Sequence, residues 1–184
     1  MGTTKYQAGR WSRRLPELLP VFVGTSFEAV IALGSNLPCP QGGGPEANLE
    51  EALLRLAGLG NVLKVSSFHH TRPVGYLDQP DFVNAVATFS SGLGPVELLH
   101  ALLELERGMG RTRDGVPAKG PRLIDLDLIF FDGVTLETEE LTLPHPEVAT
   151  RWFVLGPLAE IAPLWVHPVN GLTVNQMLDA LGPK

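Results

Sequence analysis

The run Leu123–Phe131, LIDLDLIFF, constrains this chain more than any other stretch of it. Side chains alternate between the two faces of a β-strand. As a strand, the run puts Ile124, Leu126, Leu128 and Phe130 on one apolar face, with Asp125 and Asp127 together on the other. The two carboxylates then stand about 6–7 Å apart along the strand. Like charges so placed repel, so this face needs a cation near it or full exposure to water. Two carboxylates completed by phosphate oxygens and water suit Mg²⁺. A solvent-facing strand that merely carries two acids is the plainer alternative.

The rest of the composition sets bounds. With 184 residues, 44% hydrophobic and 18% charged, the chain is too apolar for disorder and has the size of one domain. The 20 glycines and 16 prolines imply long, shaped loops. The lone Cys39 excludes an internal disulfide and suits a reducing compartment, and no apolar run approaches the roughly 18 residues of a membrane helix. A cytoplasmic monomer is the expectation. Met1–Phe27 carries four basic residues against Glu17 and reads as an N-terminal extension or leader, with a single domain over 28–184. The remaining body holds ten basic and nineteen acidic side chains, a balance of −9 within a total of −6. Such a body repels nucleic acid. Half of its basic residues (Arg107, Arg111, Arg113, Lys119 and Arg122) nevertheless fall in one short stretch, which suggests a small, highly charged anion as ligand.

Periodicity orders the chain. Ala29–Leu33 reads as a buried strand and Ala47–Leu56 as a helix, with a long turn-rich loop over Pro38–Pro45 between them. Asn61–His70 and Phe82–Phe89 read as strands joined without a helix, hence antiparallel. Pro95–Met109 is an amphipathic helix with proline in its first turn. Arg111–Pro121 is a second long loop with few apolar anchors. The strand Leu123–Phe131 is followed by the turn signal Asp132-Gly133, with Val134–Leu143 as its hairpin partner. Short helical turns mixed with loop follow over Pro144–Ile161, and Thr173–Leu181 closes as a helix. This order, β-α-β-β-α-β with an added C-terminal hairpin and short helices, describes an α+β, ferredoxin-like sandwich. Such a layout hosts many functions, so the site must carry the argument.

Arg122 immediately precedes the acidic strand, and Arg111 and Arg113 open the loop that leads to it. Guanidinium forks match phosphate oxygens. Beside carboxylates that can hold Mg²⁺, they form a minimal constellation for phosphoryl transfer. His145 lies one hairpin beyond the aspartates, and Arg151, followed by Trp152 and Phe153, resembles a phosphate hook. Phe82 and Asn84 share a strand face, where a ring can stack a flat heterocycle and a carboxamide can read its polar edge; a core Phe beside a turn Asn would look the same. Neither G-x-x-x-x-G-K-[ST] nor G-x-G-x-x-G is present, and the histidines and cysteine show no zinc spacing.

Several blocks occur in order: Gly34-Ser35-Asn36-Leu37, Ser66-Ser67-Phe68, Asp78-Gln79-Pro80-Asp81-Phe82-Val83-Asn84, Gly110-Arg111-Thr112-Arg113, Gly120-Pro121-Arg122-Leu123-Ile124-Asp125-Leu126-Asp127 and Leu143-Pro144-His145. Together, over about Ala29–Leu178, they resemble the 6-hydroxymethyl-7,8-dihydropterin pyrophosphokinase family of folate biosynthesis. The resemblance implies Mg²⁺-dependent transfer of pyrophosphate from ATP to the pterin hydroxymethyl group, with release of AMP. It implies that Asp125 and Asp127 hold two Mg²⁺ ions and that Arg111, Arg113 and Arg122 act with them in catalysis. Arg111, Arg113, Arg122, His145 and Arg151 would grip the ATP phosphates, with Glu106 near the nucleotide. Phe82 and Phe153 would sandwich the pterin, and Asn84 with the backbone of Thr71 and Val74 would read its edge. The chain departs from the family's pattern at Lys119, where some relatives carry a Trp, and at Phe82, where some carry Tyr. The alternatives are a non-catalytic ferredoxin-like module, which would need neither the carboxylates nor the arginines, and another Mg²⁺-dependent phosphotransferase, which would release ADP.

Overall fold

The computed structural model describes residues 25–111 and 119–182. Its elements in order are β1 (Phe27–Ser35), α1 (Pro45–Leu56), β2 (Asn61–Val65), β3 (His69–Thr71), β4 (Phe82–Ser91) and α2 (Pro95–Gly108). β5 (Asp125–Phe131), β6 (Leu136–Glu137), β7 (Thr142–Leu143), a 3-10 turn at Val148–Thr150, α3 (Trp152–Ile161) and α4 (Val174–Ala180) follow. The main sheet runs β2-β4-β1-β5, with β3 also pairing β4, and every pairing is antiparallel. Each half therefore crosses over one strand before pairing, which is the ferredoxin-like arrangement.

Both faces of the sheet are used, but differently. On one face Ile31, Leu33, Phe89, Leu126 and Leu128 meet the apolar stripes of α1 (Leu49, Leu53, Leu56) and α2 (Leu98, Leu102), all buried. Full burial of each such side chain contributes about 1.5–3 kcal/mol. On the other face Val30, Val86, Ile129 and Phe130 are covered by Val154, Leu155 and Leu158 of α3 and by Val174 and Met177 of α4. That cover extends over only part of the face; the Asp125 end of the sheet stays open to the cavities described below.

The periodicity misplaces several elements. Phe130 does not join Leu126 and Leu128, because the β1–β5 register steps from Ile31↔Leu128 to Val30↔Phe130 and leaves Ile129 as an extra residue. This bulge reverses the phase of the strand and sends Ile129 and Phe130 together to the α3 side. The turn at Asp132-Gly133 forms, with both residues at positive φ and Val134 N donating to Phe131 O at 2.7 Å. The chain beyond it does not pair with β5: β6 and β7 pair only with each other. The Thr138 hydroxyl, bonded to both the N–H and the carbonyl of Leu141, reverses the chain too early for a longer hairpin. Asn61–His70 divides into β2 and β3, with Ser66, Ser67 and Phe68 between them. α3 is a continuous helix of 10 residues rather than a mixture of turns, and Phe27 already belongs to β1. Most of the loop Arg111–Pro121 lies outside the described residues.

Candidate active site

The open end of the sheet is lined by small residues. Gly34 pairs with Asn84 on one side and Asp125 on the other, and Ala32 pairs with Asp127. Asn84, Gly34 and Asp125 therefore form a row across three strands with no side chain in the middle. A Cβ on Gly34 would lie 3.2 Å from Asn84 Oδ1 and 3.9 Å from Asp125 Cβ, so glycine keeps this row open.

Guanidinium groups surround the two carboxylates. Arg111 Nη1 donates to Asp125 Oδ1 at 2.6 Å, and Arg122 Nη1 donates to Asp125 Oδ2 at 2.9 Å. Arg151 Nη1 donates to Asp127 Oδ2 at 3.0 Å. Arg111 gets there because Gly110 takes φ 90°, a left-handed conformation natural to glycine, and the chain turns back from the end of α2 toward β5. There it also bonds the buried Glu106, which accepts Leu126 N–H at 2.7 Å. Burial raises the Glu106 carboxyl above its usual range against the pull of Arg111, while Arg111 itself stays firmly charged between its two acids. Burial, and then the charge of Asp125, push Asp127 above its ordinary value despite Arg151 beside it.

Two cavities meet at this pair. The first, about 260 Å³, is lined by Phe82, Phe153, Thr71, Val74, Asn84, Arg122 and Arg151 among others. Asn84 Nδ2 donates to Thr71 Oγ1 at 2.8 Å in a buried contact. Each phenylalanine lies under a guanidinium: the Arg122 carbon is 5.2 Å from the Phe82 ring centroid and that of Arg151 is 5.7 Å from Phe153. The second cavity, about 400 Å³, is lined by Leu99, Leu103, Glu106, Arg111, Leu141 and His145. Asp125 and Asp127 line both. His145 is held beside them because its N–H bonds the carbonyl of the bulged Ile129 at 2.9 Å. Its Nδ1 accepts Glu147 N–H at 3.1 Å, which leaves any ring proton on Nε2. Burial, then Arg151, keep the ring below its ordinary pKa, so it is neutral at neutral pH.

All the site residues singled out from the sequence that are described come together here; Arg113 lies outside the described residues. Lys119 lines the first cavity, with its ammonium 3.8 Å from Glu147. Asn36, in the block Gly34-Ser35-Asn36-Leu37, carries a role that its local sequence does not mark. The buried Asn36 side chain donates to Gln79 Oε1 and Pro80 O and accepts Arg122 N–H. One carboxamide thereby joins the strand end, the loop before Phe82 and the loop that carries Arg122. Glu147 was also missed: it bonds Arg151 through Nε at 3.0 Å and through Nη2. Its spacing of four residues from Arg151 is a signal that could have found it.

A cavity walled by aromatic rings, a carboxamide and guanidiniums, joined at two carboxylates to a second that adds Glu106, Arg111 and His145 on an open ferredoxin-like sheet, defines a class: an α+β enzyme that brings a flat polar molecule to a highly charged anion. The particular family follows from comparison with known proteins. Residues 30–163 match the family described as 7,8-dihydro-6-hydroxymethylpterin-pyrophosphokinase (HPPK), and the chain belongs to it. The 2-amino-4-hydroxy-6-hydroxymethyldihydropteridine pyrophosphokinase of Synechocystis sp. is 43% identical over 82% of this chain and 74% of its own. The Bacillus subtilis protein of that name is 44% identical over 72% of this chain and 77% of its own. The crystal structure of wild-type Plasmodium falciparum HPPK-DHPS shares the fold, with TM-score 0.65 and 16% identity over 90% of this chain. The present chain spans 45% of that longer one. The chain is thus a diphosphotransferase of folate biosynthesis, which moves pyrophosphate from ATP to 6-hydroxymethyl-7,8-dihydropterin. Among the described residues no helix is long and apolar enough to cross a membrane.

Proposed function

We propose that the two cavities hold the two substrates of this transfer on opposite sides of the Asp125–Asp127 pair, and that AMP is the nucleotide released. The observation that carries this reading is the shared wall: both carboxylates line both cavities. The pterin would lie between Phe82 and Phe153, whose faces suit a flat ring. Asn84 would read its edge, because the bond to Thr71 fixes the carboxamide and leaves Oδ1 open toward Gly34. The backbone of Thr71 and Val74 would add contacts along the same edge.

The triphosphate of ATP would lie in the second cavity and reach the seam. Arg111, Arg122 and Arg151, now bound to carboxylates, would turn part of their hydrogen bonding to phosphate oxygens, with Arg113 joining them. His145 would donate from Nε2, and Glu106 would hold Arg111 in position. The residues fit Mg²⁺: two neighbouring carboxylates offer hard oxygen donors to both cavities, too few by themselves to enclose an ion. Phosphate and water oxygens must complete such a site, as Mg²⁺ prefers. Asp125 and Asp127 would hold two ions brought with the nucleotide, which when bound neutralise phosphate charge and draw electrons from the β-phosphorus. The arginines would stabilise the charge that develops on the transferred group, and the cavity walls would orient the hydroxymethyl oxygen in line.

The test is to incubate the chain with MgATP and the reduced pterin alcohol and identify the released nucleotide. AMP is expected, with no turnover in EDTA. Release of ADP, or turnover unaffected by EDTA, would overturn the reading.

A further inference from the structure

Away from the carboxylates, the interruption between β2 and β3 carries a second polar cluster. Lys64 and Val65 pair with Thr88 and Ala87, and His69 pairs with Asn84. Three residues, 66 to 68, therefore face the two residues Val86 and Ala85. Ser66 keeps contact with Val86 through both its N–H and its hydroxyl, and Ser67 is pushed out of the ladder. Its backbone N–H turns to Glu160 Oε2 at 2.8 Å, and its hydroxyl donates to Oε1 at 2.7 Å and Oε2 at 2.8 Å. His69 Nε2 reaches Glu160 Oε1 at 2.7 Å. Lys64 Nζ caps the same helix end on Ile161 O at 3.1 Å. The hydrogen bonds from Ser67 and His69 outweigh the burial that would raise the Glu160 carboxyl, and hold it below its ordinary range.

Glu160 is in the last turn of α3, and Phe153 is in the first. Seven residues are about two helical turns, so the two side chains share one face of α3. They also address the same strands. Glu160 meets His69, which pairs with Asn84; Phe153 lines the same cavity as Asn84 and Phe82. The apolar face of α3 (Val154, Leu155, Leu158) holds the helix on the sheet, but such contacts are non-directional and do not fix how far it slides along the strands. Charge-assisted hydrogen bonds do.

We infer that Ser67, His69 and Glu160 form a clamp that sets the separation of Phe153 from Phe82 and Asn84, and that Glu160 is a positioning residue for the pterin. The inference rests on reading the first cavity as the pterin side. A small misplacement of a stacking ring is costly, so Glu160→Ala should raise the KM for the pterin about tenfold. The KM for ATP should move much less, because no residue of α3 itself lines the second cavity and Arg151 at its N-cap is held by its own bonds to Glu147 and Asp127. Glu160→Gln, which keeps the reach and one acceptor, should recover part of the loss. Ser67→Ala, which spares the backbone donor, should show a smaller rise in the same parameter.

The experiment is steady-state kinetics with each substrate varied, on these variants and on Phe153→Ala, with circular dichroism to establish that each is folded. Folded Glu160→Ala with the parental pterin KM, or with both KM values raised alike, would overturn the clamp. If Glu160→Ala does not fold, Glu160→Gln and Ser67→Ala decide by the same criterion. Phe153→Ala separates the two levels of argument. A raised pterin KM there with none in the clamp variants removes the clamp alone, whereas no change there removes the assignment of the cavity and the clamp with it.

Discussion

The two cavities are built from different chemistry, although one pair of carboxylates walls both. The first is made by β1, β3, β4 and α3 and offers rings, a carboxamide and a hydroxyl beside the guanidiniums of Arg122 and Arg151. The second is made by α2, β5 and the segment after β7, and pairs aliphatic side chains with the Glu106–Arg111–Asp125 chain of charges. Neutral groups fixed in advance select a molecule by shape and edge pattern. Guanidiniums that already hold carboxylates can transfer to phosphate without first being stripped of water, and so keep the site charged and ordered before the anion arrives. The groups suited to select a flat ring thus lie in the first cavity, and Arg122, Arg151, Asp125 and Asp127 join them there to the charged side.

The largest effect should come from the seam itself. Asp125→Asn or Asp127→Asn should lower the rate of AMP release by about 10²–10³, or about 2.7–4 kcal/mol, measured at limiting Mg²⁺. Stability should tell the two apart. Asp125 accepts from both Arg111 and Arg122, so Asp125→Asn should cost about 1–3 kcal/mol in thermal unfolding without metal. Asp127 is already opposed by burial and by Asp125, so Asp127→Asn should be as stable as the parent. Near-parental rates in both variants would show that the seam carries no metal.

A pair of smaller effects should separate the cavities. Asn84→Ala should weaken pterin binding by about 1–3 kcal/mol through an unpaired polar edge and leave ATP unchanged. Glu106→Gln keeps an acceptor for Leu126 N–H but removes the charge that holds Arg111. It should weaken ATP by about 1.5–3 kcal/mol and leave the pterin unchanged. Calorimetry with each substrate would break the comparison if either variant weakened both equally.

The smallest effect tests the clamp through pH. Hydrogen bonds hold the folded Glu160 carboxyl below the ordinary 4.5. An acid so shifted contributes stability that is present above the unfolded value and is lost as the pH falls through the folded one. The melting-temperature difference between parent and Glu160→Gln should be present at about pH 7 and should shrink as the pH falls below 4.5. A constant difference would mean that the carboxylate charge plays no part.

What the sequence determined by itself is the local chemistry and the broad layout. Alternation in β5 placed Asp125 and Asp127 on one face, helical spacing found α1, α2 and α4, and the ordered blocks carried the family. These signals survive in one dimension because they depend on residues a few positions apart. Features that depend on distant partners emerge only when the chain is folded. The bulge at Ile129 has no mark in the run Leu123–Phe131; it exists because the Ile31 and Val30 pairings differ by one step. Yet that bulge frees the carbonyl that seats His145 beside Asp127. The partners of Asn36 (Gln79, Pro80 and Arg122) stand more than forty positions from it along the chain. Ser67 and His69 meet Glu160 from more than ninety positions away along the chain. A hydrogen bond is formed over about 3 Å of space, whatever the separation along the chain, and a single sequence does not record which distant groups will stand at that distance.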